Sequence, residues 1–124
     1  YLNVNLGTAT IPTATVRIKI EKKTFEESAT GDGPVDACFK AINRAIKFQK
    51  KIKLEHYQVR SITAGKAAQG EVSIRLKIDK KAFNGKGIST DTIKASAQAY
   101  IQALNHFSLN DSEQKIFSEN LRGV

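Results

Sequence analysis

Val16-Arg17-Ile18-Lys19-Ile20-Glu21-Lys22-Lys23-Thr24-Phe25 returns 58 residues later as Ile74-Arg75-Leu76-Lys77-Ile78-Asp79-Lys80-Lys81-Ala82-Phe83. In each copy apolar and basic residues alternate over five positions. Successive side chains of a strand point to opposite faces, so Val16, Ile18 and Ile20 share one face and Arg17 and Lys19 the other, as in a half-buried antiparallel strand. Glu21-Lys22-Lys23 reads as the polar tip of a hairpin, with Thr24 to Thr30 returning as the next strand. The same sentence written twice predicts two like units.

Moving outward, Leu2 to Leu6 alternates as a first strand and Gly7 to Pro12 turns it. Beyond Thr30, Gly31-Asp32-Gly33 is a glycine turn leading into Pro34, which suits the first turn of a helix because its missing N–H has no partner there. Val35, Cys38, Phe39, Ile42, Ala45 and Ile46 form one stripe at helical spacing, with Lys40, Asn43, Arg44 and Lys47 on the wet side. Gln49 to Lys53 connects the halves. In the second unit Leu54 to Thr63 is strand-like, Ala64 to Gly70 reads as a loop and Val72 to Ile78 as a strand. Gly85-Lys86-Gly87 reads as a second glycine turn at an offset of 54, which implies a shorter third strand than in the first unit. The following helix takes Ser89 or Thr90 as its cap, Asp91 near its positive end, and Ile93, Ala97, Tyr100, Ile101 and Leu104 as its apolar stripe. Asn110 to Leu121 reads as a short terminal helix.

The fold class expected is α+β: two pseudo-twofold-related βββα units, antiparallel sheets with helices packed on one side. Residues 1–124 are expected to form a single domain, with unit one about 1–50, unit two about 51–107 and a tail over 108–124. At 124 residues, 40% hydrophobic and 26% charged, the chain has a globular balance. The +8 formal charge raises the question of nucleic acid, but the basic residues are spread over strand faces and the Lys47 to Lys53 segment without interleaved aromatics, which argues against it. No apolar run is long enough for a membrane span, and no secretory signal opens the chain, so a cytoplasmic location is expected. A start at Tyr1 with no methionine anywhere implies a piece of a longer protein.

Catalytic chemistry is thinly represented. Cys38 falls on the apolar stripe and reads as a packing residue. His56 and His106 stand apart, and no spacing of His, Cys or acidic residues matches a metal-binding motif. Asp32, Asp36 and Asp91 at helix starts read as caps or dipole partners before ligands. No Gly-x-Ser-x-Gly elbow and no Walker lysine accompany the glycine turns. A single Gly-x-Gly is a tight turn. Two in equivalent units, each aiming N–H groups and a helix start at one place, suggest a two-sided site for a small amphiphile, its carboxylate on helix N–H groups and its ammonium on an Asp or on backbone carbonyls.

Gly31-Asp32-Gly33-Pro34-Val35-Asp36-Ala37 with Ala41-Ile42-Asn43-Arg44, Tyr57, Ala68-x-Gly-x-Val and the Gly-x-Gly-x-x-Thr-Asp run with Ala95-Ser96-Ala97 resemble the C-terminal regulatory domain of 2-isopropylmalate synthase, over roughly Thr13 to Asn105. Citramalate synthase carries a similar domain. The resemblance implies a non-catalytic allosteric and dimerisation domain, a homodimer, that binds the end-product amino acid for feedback inhibition of branched-chain amino-acid biosynthesis. It has no cofactor of its own. The acyl transfer, acetyl-CoA with a 2-oxo acid at a divalent metal, belongs to an N-terminal TIM barrel absent here. By position, the family's effector contacts fall on Asp32, Gly33, Val35 and Asp36, on Ile88, Ser89 and Thr90, and on Leu54, Tyr57, Ser61, Ala68 and Gly70 as the side-chain pocket. Small residues at Ser61 and Gly70 leave room for a γ-branched tail and favour leucine over isoleucine. The alternatives are an isoleucine sensor of citramalate synthase and a purely structural dimerisation domain.

Overall fold

The 58-residue repeat is the architecture. In the computed structural model, which describes residues 2–5, 11–20, 22–64 and 67–122, the order is β1 (Leu2–Asn5), β2 (Thr13–Ile20), β3 (Lys23–Thr30), α1 (Pro34–Ala45), β4 (Lys53–Ala64), β5 (Ala67–Ile78), β6 (Lys81–Ser89) and α2 (Thr92–Arg122). The strands form two antiparallel sheets, β1-β2-β3 and β4-β5-β6, each followed by its helix, as two βββα units require. Val16 faces Glu27 and Ile18 faces Phe25 in the first sheet; Ile74 faces Gly85 and Leu76 faces Phe83 in the second, the same register 58 residues on.

The hairpin between β5 and β6 is a two-residue loop. Ile78 faces Lys81, and both Asp79 and Lys80 have positive φ, 53° and 68°. This is the twist that joins antiparallel strands without splaying them. Lys22, at φ 70°, occupies the equivalent place between β2 and β3; Glu21 of the expected hairpin tip lies outside the described residues. Leu6 and most of the expected Gly7 to Pro12 turn lie outside them too.

α1 covers the inner face of the first sheet and α2 that of the second, chiefly over β5 and β6, and the two helices meet. The core runs through both units: Ala14 and Val16; Ala37, Cys38, Phe39, Ala41, Ile42 and Ala45; Val72, Ile74, Leu76 and Ile78; and Ala95, Ala99, Tyr100, Ala103 and Leu104. The Phe39 and Tyr100 rings stack at 4.1 Å between centroids, 14° from parallel, at the helix–helix contact. Cys38 is fully buried within α1 as a packing residue, and burial pushes its thiol up to about 12.

Several expectations fail, each for a physical reason. Gly85-Lys86-Gly87 is no turn: all three residues lie inside β6. A Cβ on Gly85 would fall well inside contact distance of the Ala99 carbonyl oxygen, and one on Gly87 likewise of the Ala95 carbonyl, so these glycines let α2 lie down on the strand. The 54-residue offset is therefore a coincidence of residue type. β6, at nine residues, is not shorter than β3, at eight. The turn equivalent to Gly31-Asp32-Gly33 is Ser89-Thr90-Asp91, and Asp91, not Ser89 or Thr90, caps α2. Ala67 to Gly70 belong to β5 where a loop over Ala64 to Gly70 was expected, because these residues pair with β4. No separate terminal helix exists, since α2 is continuous to Arg122, and His106 lies within it with Nδ1 2.7 Å from the Asn84 carbonyl oxygen. Asn43 is not simply wet: its Oδ1 accepts the Tyr100 hydroxyl at 2.7 Å.

Candidate functional site

The two helix starts are equivalent in the repeat and opposite in chemistry. At α2 a side chain caps the helix. Asp91 Oδ1 accepts the N–H groups of Ile93 at 2.9 Å and Lys94 at 3.4 Å, its carbonyl accepts Ala95 N–H, and Ser89 Oγ accepts its own N–H. At α1 the cap position is Gly33, with no side chain to accept anything. Its φ of −157° is extended backbone that any residue adopts, and nothing lies within 4 Å of where a Cβ would be. The helix begins with Ala37 N–H on the Gly33 carbonyl; Pro34 has no N–H, and no hydrogen bond to Val35 or Asp36 N–H is made among the described residues. Two donors and the positive end of a helix dipole stand open together.

Beside them sit the acidic residues. Asp36 Oδ2 accepts Asp32 N–H at 3.0 Å and pairs with Lys40 Nζ at 3.1 Å, one helical turn on. The bond from Asp32 N–H, first, holds the Asp36 carboxyl below its ordinary range against the opposing cost of burial, and Lys40 adds to the shift. Asp36 stays charged at neutral pH. Asp32 is exposed, and Val35 half-buried.

A second group assembles on the inner face of the other sheet. Ser61, Gly70 and Ser89 form one row across β4, β5 and β6. A Cβ on Gly70 would meet Thr92 Oγ1 at 3.6 Å, so this row ends at the start of α2. Tyr57 faces Ile74, and its hydroxyl lies 2.6 Å from Ser96 Oγ. Ser96 already donates to the Thr92 carbonyl at 2.8 Å, so Tyr57 donates to Ser96. Leu54 faces Leu76 and Ala68 faces Thr63 on this same side. α2 leaves β4 largely uncovered: Leu54 is 44% and Val59 46% exposed although both belong to the inner face. Thr90 is exposed between Ser89 and the Asp91 cap. Ile88 stands apart. It faces Glu71, on the outer side of the sheet, and is 48% exposed there.

Asp32, Gly33, Val35 and Asp36 are thus brought together at α1, and Tyr57, Ser61, Gly70 and Ser89 at the other sheet, while no hydrogen bond joins the groups among the described residues. Sequence reasoning missed Ser96 and the role of Asp91. The signal was present: carried through the helices, the 58-residue offset sets Cys38 against Ser96 and Gly33 against Asp91. Among the described residues no three His, Cys, Asp or Glu side chains gather as metal ligands would, and none of their helices is long and apolar enough to cross a membrane.

Comparison with known proteins identifies the arrangement. Residues 1–108 match the family described as the LeuA allosteric (dimerisation) domain. The chain is 45% identical over 105 residues to a 2-isopropylmalate synthase of Heliobacterium modesticaldum, covering 85% of the chain and 20% of that protein. It is 40% identical over 116 residues to the 2-isopropylmalate synthase of Ruminiclostridium cellulolyticum, covering 94% and 22%, and 40% identical over 119 residues to that of Halothermothrix orenii, covering 95% and 23%. The chain therefore spans about a fifth of the length of these relatives. With two βββα units and a family match over most of its length, it belongs to the LeuA allosteric (dimerisation) domain family.

Proposed function

We propose that the chain is the effector-sensing part of a 2-isopropylmalate synthase, binding leucine at the open start of α1 and transmitting feedback inhibition to a catalytic barrel elsewhere in the parent protein. The observation that carries this reading is the contrast between the helix starts, one capped by Asp91 and the other left open at Gly33. A carboxylate completes what Gly33 omits: it takes the N–H groups of Val35 and Asp36 and sits on the positive end of the dipole. Asp32 and Asp36 supply negative charge for the ammonium. Tyr57, Ser61, Ala68, Gly70 and Leu54 are the proposed surroundings of the side chain, with Ser89 and Thr90 at the rim.

Small residues at Ser61 and Gly70 support a γ-branched tail. Moving one methyl in an apolar pocket is worth only about 1–3 kcal/mol, so leucine is preferred over isoleucine by about ten- to hundredfold and no more. In this reading the uncovered inner face of β4, with Leu54 and Val59, is covered by a second copy of the chain, and the barrel, its divalent metal and its acetyl-CoA-dependent condensation lie in the rest of the parent. Inhibition then requires that leucine bind two states of the whole enzyme with different affinity. Titration calorimetry with leucine and isoleucine tests the assignment. Saturable heat with leucine the tighter ligand is expected; isoleucine tighter by tenfold would reassign the effector, and no heat with either would remove the sensing role.

A further inference from the structure

The pseudo-twofold that relates the units gives the proposed effector site a counterpart. A cleft of ≈ 490 Å³ opens between β1, β2 and α2, lined by Leu2, Ile18, Ile42 and Ile101 with Asp91 and Lys94 among its polar residues. The repeat carries Asp91 onto Gly33 and Lys94 onto Asp36. The sheet registers carry Leu2, which faces Val16, onto Tyr57, which faces Ile74. With the two units exchanged, three residues of the cleft therefore stand where three effector candidates stand.

We propose that this cleft is a second binding site for a free aliphatic amino acid, distinct from the one at α1; the choice of ligand class rests on the effector reading, while the site rests on the cleft itself. Its volume lies within the ~300–1,000 Å³ of small-molecule sites. The chemistry is inverted relative to α1. Asp91 already takes the N–H groups of Ile93 and Lys94, the counterparts of Val35 and Asp36, so the anion partner is the Lys94 ammonium instead. The Asp91 carboxylate, with one oxygen turned to the helix, leaves the other for the ligand's ammonium. Ile18, Ile42 and Ile101 take the aliphatic tail. A zwitterionic head between opposite charges and a tail on three isoleucines fit one end and the other of the same cleft.

The experiment is a titration of L-leucine into the protein carrying ¹³C-methyl labels on isoleucine and valine. Ile18 and Ile101 report the cleft; Ile74 and Val35 report the α1 site. The expected result is saturable shifts in both sets, with Lys94→Gln weakening the Ile18 and Ile101 response about tenfold, the loss of one charge-assisted hydrogen bond, and the Ile74 and Val35 response changing less than about twofold. Ala97→Phe, which fills the cleft from α2, should abolish the first set alone. Shifts confined to Ile74 and Val35 would overturn the second site and leave the effector reading standing; shifts confined to Ile18 and Ile101 would do the reverse. Ile18 and Ile101 shifts indifferent to both variants would mark an indirect change and overturn the site. So would shifts that follow protein concentration without leucine, which would assign the cleft to a second copy of the chain.

Discussion

Lys47 shows how a single backbone angle records a compromise. It follows α1 with φ 55°, donating its N–H to the Arg44 carbonyl while Phe48 donates to Asn43, which is the glycine-type ending of a helix built on a lysine. A left-handed conformation costs a residue with a Cβ on the order of 1 kcal/mol. Lys47→Gly is therefore expected to raise stability by about 0.5–1 kcal/mol in urea unfolding; a loss would mean that the lysine side chain repays the strain. Asp36 makes a prediction in pH. Its folded value is depressed by the Asp32 N–H and by Lys40, so the stability it contributes is fully present above the ordinary carboxylate range and is lost as pH falls from there through the depressed folded value. Asp36 is partly solvated, which limits the effect to a few tenths up to ~1 kcal/mol. Asp36→Asn should be less stable than the parent by that margin at pH 7, with the gap closing as acid carries the pH below the depressed folded value, and a gap that does not narrow with acid would contradict the assignment.

Among the elements, β6 and α2 carry the tightest contact. Gly85 and Gly87 sit under Ala99 and Ala95, and in unit one the equivalent strand positions are Glu27 and Ala29 under a shorter helix. Overpacking at such a place typically costs 1–3 kcal/mol, and here the obstacle is backbone carbonyl rather than a yielding side chain, so Gly85→Ala should cost at least ~2 kcal/mol in thermal or urea unfolding. A change below ~0.5 kcal/mol would show that α2 moves freely off the strand. The strands and helices were legible because Val16 to Phe25 and Ile74 to Phe83 state period and hairpin together. The role of Gly85 and Gly87 was not. A glycine under a helix and a glycine in a turn look alike in sequence, and what separates them is a contact with alanines eight and fourteen positions away that only the fold creates. Asp91 was misread for a related reason: Ser89, Thr90 and Asp91 are all good caps, and the geometry of the turn decides among them.

At the scale of the molecule, two units of one pattern have diverged at their helix starts, and that divergence carries the functional account. Asp32, Gly33, Val35 and Asp36 were legible as one group from their sequence alone. Their proposed companions on β4 and β5 were reached only by resemblance, since nothing in local pattern links Tyr57 or Ser61 to a helix start twenty or more residues away. Ile88, carried over in the same way, faces the outer side of its sheet, away from the row of Ser61, Gly70 and Ser89. The central claim is that Gly33 leaves α1 open so that a ligand carboxylate can cap it. Gly33→Asp supplies a permanent cap in its place, with open space around the new side chain and a backbone angle any residue adopts. Calorimetry and thermal unfolding of this one variant give the decisive pair of readings: leucine affinity should fall at least tenfold while the melting temperature without ligand stays level or rises, a capping side chain being worth a few tenths of a kcal/mol over glycine. Undiminished leucine binding by a folded Gly33→Asp protein would contradict the account.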